Sequence, residues 1–360
     1  MSTAKHILIC PLNWGLGHAV RCLPIIQTLL NQGQKVSIAS DGAALELLKG
    51  EFPKLSFFDL PPYNIHYKTS NMFVNIAPQV PKLLQAIRLE KKILHQLIQQ
   101  NQFDAIISDN RYGIYTTALP SVFVTHQLNI AVPNRWVAAW VRRRNRAYIS
   151  RYDECWVPDF ANEPSLAGAL SHSPVFDNVH YIGPLSTMQY NNTEKQYDII
   201  AVLSGLEPQR SYFEKMLLAQ AQKMPDIKML LVAGQTGEMQ KRQIGKNIDW
   251  QSYMNRKELN QAILASKVYV GRSGYSSLMD IVQLKHRKVI LVPTPGQTEQ
   301  EYLADRFAAL QGFVVQQQKD FNLKNALEAL QNRTLGWYTD ATHDTDLTEF
   351  IEQFLNRMTP

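Results

Sequence analysis

The chain has 360 residues, more than one ordinary hydrophobic core serves and enough for two domains. Hydrophobic residues make up 45%, and the net charge of +6 fits an anionic ligand or a membrane surface, without the basic tail or tract of a nucleic-acid binder. Three cysteines, Cys10, Cys22 and Cys155, exclude a disulfide framework and a Cys-x-x-Cys metal pair, so a reducing cytoplasm is the simplest setting. The N-terminal residues lack the apolar core of a signal peptide, and no apolar run reaches the roughly 18 residues of a transmembrane helix.

An apolar run over 6–10 reads as a buried first strand, and a helical pattern follows through Leu23, Ile26, Leu29 and Leu30. Between them lies Pro11-Leu12-Asn13-Trp14-Gly15-Leu16-Gly17-His18. Gly15 and Gly17 allow backbone geometry that a β-carbon would block. His18 falls near the helix N-terminus, where the dipole favours an anion or a developing negative charge, and is placed to take a proton. The spacing is not the G-x-G-x-x-G dinucleotide fingerprint.

Further on, 36–39 and 55–59 read as strands, 43–48 as a helix, and 63–77 as an irregular polar and aromatic stretch. A long helix is expected over 80–100. Strands at 105–108 and 121–125 end in Asp109 and His126, and strands at 155–158 and 180–182 complete the half. Residues 191–195 are polar and turn-rich and form the best linker. A second series follows, with strands at 199–203, 229–232, 268–270 and 289–292. Alternating strand and helix implies parallel sheets with right-handed crossovers. The expectation is α/β: two doubly wound, Rossmann-like domains facing a cleft, over 1–190 and 198–345, with a helix at 346–360 returning to the first.

Ligands of such sheets bind beyond the carboxyl ends of the strands, and three loops of the second half lie there. Ser204, Gly205 and Arg210 suit phosphate oxygens. Arg272, Ser273 and Gly274 open a helix that reaches Asp280, and backbone N–H groups at such a start can hold a diphosphate. Gln300 and Glu301, in the loop after the next strand, can pair with the hydroxyls of a sugar.

These loops resemble the donor-binding domain of GT-B glycosyltransferases, most closely the MurG-like UDP-N-acetylglucosamine transferases. The similarity is strongest over 267–313, where a strand leads into Gly271-Arg272-Ser273-Gly274, then Asp280, then Pro293, then Gln300-Glu301. The resemblance implies that Asp280 binds the ribose hydroxyls, that Gln300 and Glu301 face the donor sugar, and that Ser204, Gly205 and Arg210 form the phosphate loop. Asp280 stands where the family has glutamate, and Glu301 replaces the second glutamine of a Gln-Gln pair.

On this reading the chain is an inverting, metal-independent glycosyltransferase. Its donor, a nucleotide-diphosphate sugar and most simply a UDP-sugar, is a substrate, and no cofactor is implied. His18 is the base, Asp109 orients it and stabilises its imidazolium, and Arg210 or Arg272 stabilises the leaving diphosphate. Gly15, Gly17 and His126 belong to the acceptor side. No Asp-x-Asp triplet sits in a loop context that calls for a metal. One alternative is a nucleotide-sugar hydrolase, since such enzymes resemble this chain in G-H-x-x-R-C-L, here Gly17 to Leu23. Another is a non-catalytic nucleotide-sugar-binding regulator. The segment 136–146 pairs Trp136 with Trp140 at helical spacing and then runs basic. It fits either a helix with a solvated arginine flank or peripheral contact with the inner face of a membrane carrying a lipid-linked acceptor.

Overall fold

A computed structural model describes residues 4–63, 77–130, 135–173, 176–205, 207–235, 239–310, 312–331 and 346–358. Most of the irregular stretch expected over 63–77, and Leu206 in the loop expected to meet a phosphate, lie outside the described residues. The chain forms two compact units: residues 1–186 with 343–360, and residues 187–342. The segment 182–196 has no regular element and carries both the boundary and the polar 191–195 run.

The first unit is built on a seven-stranded parallel sheet. Its strands are β1 (His6–Pro11), β2 (Lys35–Ser40), β3 (Ser56–Asp59), β4 (Ala105–Asp109), β5 (Ser121–Val124), β6 (Glu154–Val157) and β7 (Val179–Tyr181), in the order β3-β2-β1-β4-β5-β6-β7. Helices α1 (Gly17–Asn31), α2 (Gly42–Glu51), α3 (Val80–Gln100) and α4 (Arg135–Ile149) connect strands of this sheet. The central strands are buried on both faces, as a parallel sheet covered by helices requires, so they read as unbroken apolar runs. Leu94 and Leu97 of α3 pack on Leu8, Cys10 and Ile106.

The second unit repeats the plan. Its strands are β8 (Tyr197–Val202), β9 (Met229–Val232), β10 (Lys241–Ile244), β11 (Ile248–Gln251), β12 (Ser266–Gly271), β13 (Val289–Leu291) and β14 (Phe313–Val315), in the order β10-β11-β9-β8-β12-β13-β14. Its helices are α5 (Gln209–Ala221), α6 (Arg256–Leu264), α7 (Tyr275–Gln283), α8 (Thr298–Ala308) and α9 (Leu323–Gln331). Three of these strands escaped the sequence reading. β10 is an antiparallel edge strand of mostly exposed polar residues, Lys241-Arg242-Gln243-Ile244, with no apolar run to betray it. β11 alternates Ile248 and Trp250 inward, a period-2 signal too short to stand out. β14 has three residues.

Helix α10 (Leu347–Arg357) follows the second unit in the chain but belongs to the first. It packs on α1, and Phe350 and Phe354 meet the buried Trp156 edge-on, with centroids 5.1 and 5.0 Å away. Truncating Phe354, which is 2% exposed, opens a cavity against Trp156. Phe354→Ala is expected to destabilise the first unit by about 3–5 kcal/mol, read as an earlier midpoint in urea denaturation. An unchanged midpoint would mean that α10 contributes nothing to that core.

Candidate active site

In the first unit the chemistry gathers at the carboxyl ends of β1, β4 and β5. Pro11 pairs with Asp109 and Asp109 with Val124, so the three strands end level. The strand order reverses between β1 and β4, the point where open α/β sheets bind ligands. The chain leaves β1 through a turn with Gly15 at φ +82° and enters α1, whose first turn carries His18. His18 Nδ1 lies 2.7 Å from Asp109 Oδ1. Arg21 forks onto the same carboxylate, Nε to Oδ2 and Nη2 to Oδ1, and the Cys22 thiol donates to Oδ2 at 3.7 Å. Arg21 Nη1 also reaches His126 Nδ1, at 3.1 Å, just beyond β5.

The protonation states follow from these contacts. Burial pushes the Asp109 carboxyl up, but the Arg21 guanidinium and His18 outweigh it and bring it down to about 2. A carboxylate only accepts, so His18 Nδ1 carries the hydrogen and Nε2 the lone pair. Arg21 Nη2, 2.8 Å from His18 Nδ1, then cannot donate to it and acts as a cation beside the ring. Burial, and after it Arg21, lower the His18 pKa from the ordinary 6.5, against the opposing pull of Asp109. His18 is therefore neutral at pH 7, with 16% of its side chain exposed.

A second buried guanidinium stiffens the surrounding loops. Arg111, fully buried after β4, donates to Pro11 O at 2.9 Å, to Glu90 Oε1 at 2.8 Å and to Asp41 Oδ1. Glu90, on α3, also accepts from Tyr63 Oη at 2.8 Å and Gly113 N at 3.1 Å. Gly113 has no alternative, since a Cβ would lie 2.3 Å from Ile87 O. Asp41 accepts from Asn13 Nδ2 at 2.9 Å, which ties the glycine-rich turn into the same network.

In the second unit the order reverses between β8 and β12. Ser204 and Gly205 are exposed after β8, with Gly205 at φ +102°. Gly274 caps α7 without a side-chain bond. Ser273 Oγ donates to Gln300 O at 2.7 Å. Gln300 Oε1 accepts from Thr294 N at 2.9 Å, and Glu301 Oε1 from Gly296 N at 2.9 Å, so both side chains shape the loop after β13. Asp280, on α7, receives a two-pronged bond from Arg256.

Two expected ligands of the diphosphate are turned inward. Arg210 is buried, paired with Glu207 and with Glu214 at 2.9 Å, and donates to Ala233 O at 2.9 Å, so its charge is balanced by carboxylates in and just before α5. Arg272 is 1% exposed and ties three loops together, donating to Val292 O, Pro293 O, Gln209 O and Gln318 Oε1. Burial lowers its pKa to about 10, so it stays charged at neutral pH, and no carboxylate among the described residues pairs with it.

The structure brings His18, Asp109 and His126 together around Arg21, which the sequence reading had not counted as a site residue. Its three-residue spacing from His18 on a helix is the signal that could have found it. Thr294 was also missed. Its hydroxyl is buried without a partner, 3.6 Å from where a Gly205 Cβ would lie, and nothing in the sequence marks such an orphan. Among the described residues no group of three or more His, Cys, Asp or Glu is arranged to hold a metal ion.

Residues 199–354 match the glycosyltransferase family 28 C-terminal domain. An uncharacterized glycosyltransferase of Methanosarcina mazei is 23% identical over 322 residues, covering 82% of this chain and 80% of its own. The crystal structure of Acinetobacter baumannii MurG superposes with a TM-score of 0.60 at 15% identity, over 98% of this chain and 99% of that one. The Phytolacca americana UGT2 structure, complexed with UDP-2-fluoro-glucose and pterostilbene, superposes with a TM-score of 0.59 at 15% identity, over 100% and 94%. The chain is a glycosyltransferase with the GT-B fold, and its C-terminal half carries the family 28 domain.

Proposed function

We propose that the protein transfers a sugar, with inversion, from a nucleotide-diphosphate sugar to an acceptor hydroxyl. The observation that carries this reading is the Asp109-bound His18, whose Nε2 lone pair is set by the hydrogen bond on Nδ1. The acceptor oxygen attacks the anomeric carbon while its proton passes to His18 Nε2. The bond from that carbon to the diphosphate oxygen breaks, and the nucleoside diphosphate leaves. The C-terminal unit holds the donor, with Asp280 on the ribose, Ser204, Gly205 and the α7 N-terminus at the diphosphate, and Gln300 and Glu301 at the sugar. The UDP-sugar bound by the Phytolacca enzyme makes a UDP-sugar the first donor to test.

Nucleotide-sugar hydrolysis is the second reading. The observation in its favour is that Arg21 of the Gly17–Leu23 run sits inside the His18 cluster, so the motif shared with such hydrolases is part of the site. Product analysis with and without acceptors separates the two.

Helix α4 is the proposed contact with a membrane that carries a lipid-linked acceptor. Asn145 anchors its inner face, accepting from Tyr112 Oη at 3.0 Å and donating to Gln127 O and Leu128 O. Trp140 is 57% exposed on the other side, among exposed Arg142, Arg143, Arg144 and Arg146, with the Arg144 guanidinium 5.7 Å from its ring. The side chain of Trp136 lies outside the described residues. No described helix is long and apolar enough to cross a membrane. An indole among cations suits an anionic interface, each cation adding about 1 kcal/mol.

His18→Ala is expected to lower turnover roughly 10²–10⁴-fold, the share of a positioned general base, and Asp109→Asn to lower it less. Both are measured with EDTA present, which the wild type should tolerate. Wild-type turnover by His18→Ala would reject the base. The pH profile offers a separate check. His18 acts unprotonated and its pKa is lowered, so activity should fall only as pH drops through a value below 6.5. Arg21→Gln removes the adjacent positive charge and should move that acid limb upward; an unmoved limb would show that Arg21 does not govern the ring. For the membrane contact, wild-type protein should co-sediment with anionic vesicles at low salt and be released at high salt, while Trp140→Ala binds less. Protein that stays in the supernatant at low salt would end that proposal.

A further inference from the structure

Thr294 follows the end of β13 and is 3% exposed. Its backbone is fully engaged: N donates to Gln300 Oε1 at 2.9 Å, and O accepts from Gln297 N at 3.1 Å. The hydroxyl is the exception. It is buried and has no hydrogen-bond partner among the described residues. A buried hydroxyl in that state lowers stability. Valine has nearly the same shape and would carry no such penalty. Native cores leave few polar groups unpaired, so one that is kept calls for a reason.

The reason lies in what the hydroxyl faces. Gly205 is exposed after β8, with φ +102°. A β-carbon built there would meet one described atom within 4 Å outside its own chain neighbours, Thr294 Oγ1 at 3.6 Å. The space over Gly205 is therefore open, and a hydroxyl bounds it. An oxygen less than about one ångström deeper than that β-carbon would stand at hydrogen-bonding distance. The segment that carries the hydroxyl also rests on a cation. Arg272 Nη1 donates to Val292 O at 3.1 Å and Pro293 O at 3.2 Å, the two residues before Thr294. Arg272 stays charged at neutral pH with no carboxylate partner among the described residues. Beside such a charge an anionic oxygen is a better acceptor than the hydroxyl of a sugar.

We infer that Thr294 is a specificity-determining residue for the donor: its hydroxyl donates to the terminal phosphate of the nucleoside diphosphate over Gly205, and so makes the site prefer a diphosphate to a monophosphate. This rests on the proposed assignment of the loop after β8 to the diphosphate. The β-branched side chain is stiff about its first torsion, and both backbone bonds hold it in place, so little ordering is needed when the phosphate arrives. The hydroxyl lowers stability in the empty protein and gains its partner only in the complex. Affinity and stability should therefore move in opposite directions when it is removed.

The test is calorimetric titration of the full chain with UDP and with UMP, together with urea denaturation of the empty protein. Wild type should bind UDP more tightly than UMP. Thr294→Val should weaken UDP roughly 10- to 100-fold, the range for a hydrogen bond to a charged group, and leave UMP nearly unchanged. Its urea midpoint should stay level or rise, since an unpaired polar group has been removed. Thr294→Ser keeps the hydroxyl and should keep most of the preference for UDP. A merely structural role would lower the midpoint of Thr294→Val and both affinities together, and that result overturns the inference. A wild-type preference untouched by Thr294→Val, or lost equally in Thr294→Ser, also overturns it while the diphosphate assignment stands. If the wild type binds UDP no better than UMP, or binds neither, the inference falls together with that assignment.

Discussion

The fork of Arg21 on Asp109 is the contact on which the geometry around His18 depends. Both side chains are almost wholly buried, at 2% and 0% exposure. Burying two charges is expensive, and removing one partner of such a pair commonly costs about 3–5 kcal/mol. Here the cost is met by filling the carboxylate's acceptor positions: His18 and Arg21 Nη2 on Oδ1, Arg21 Nε and Cys22 on Oδ2. With its other positions taken by donors that cannot leave, Asp109 holds His18 by one bond in one tautomer. The same fork joins α1 to the end of β4 and, through His126, to the end of β5. One guanidinium thus sets both the shape of the His18 cluster and the state of its imidazole.

The two units use buried arginines at their reversal points to different electrostatic ends. Arg21 is paired with Asp109 and Arg111 with Glu90 and Asp41, so both guanidiniums near His18 have carboxylate partners. Arg272 bonds only to carbonyl and amide oxygens and lies 4.5 Å from the ring centroid of Phe213. Its charge is shared among dipoles and not cancelled. A site whose cations are all paired suits a proton transfer with a neutral hydroxyl, while an unpaired positive one suits a diphosphate. Neither Arg210 nor Arg272 needs to touch an anion if helix starts and backbone N–H groups do so above a buried charge.

The legible parts of this chain were those with local causes. Buried parallel strands must be apolar on both faces, so β1, β4, β5, β8, β9, β12 and β13 were visible as runs, and each candidate loop was placed by the strand before it. β10 was invisible because an edge strand is kept polar to avoid pairing with other chains. Residue types also outran partners. Ser204, Arg210 and Arg272 are all types that bind phosphate, yet whether a guanidinium faces outward or inward depends on Glu207, Glu214 and Gln318, and on carbonyls brought by other loops. Sequence spacing can put His18 and Arg21 on one helical face. It cannot say that Asp109, 91 positions from His18, will be shared between them.

That sharing alters what kind of base the proposed His18 would be. In an isolated His–Asp pair the carboxylate's charge stabilises the imidazolium formed during proton transfer. Here Arg21 has already claimed much of that charge and stands 2.8 Å from the ring nitrogen. The imidazolium is less stabilised, so the ring is a weaker base. It is also unprotonated over a wider pH range, since burial and Arg21 act in the same direction. General-base efficiency depends on both the fraction in the right state and the driving force for transfer. The geometry favours the first over the second. Such a compromise suits a reaction in which bond breaking to the diphosphate runs ahead of proton removal. The acceptor hydroxyl then grows acidic as it bonds to the anomeric carbon, and a modest base is enough to take its proton. In that regime the departure of the diphosphate carries most of the barrier.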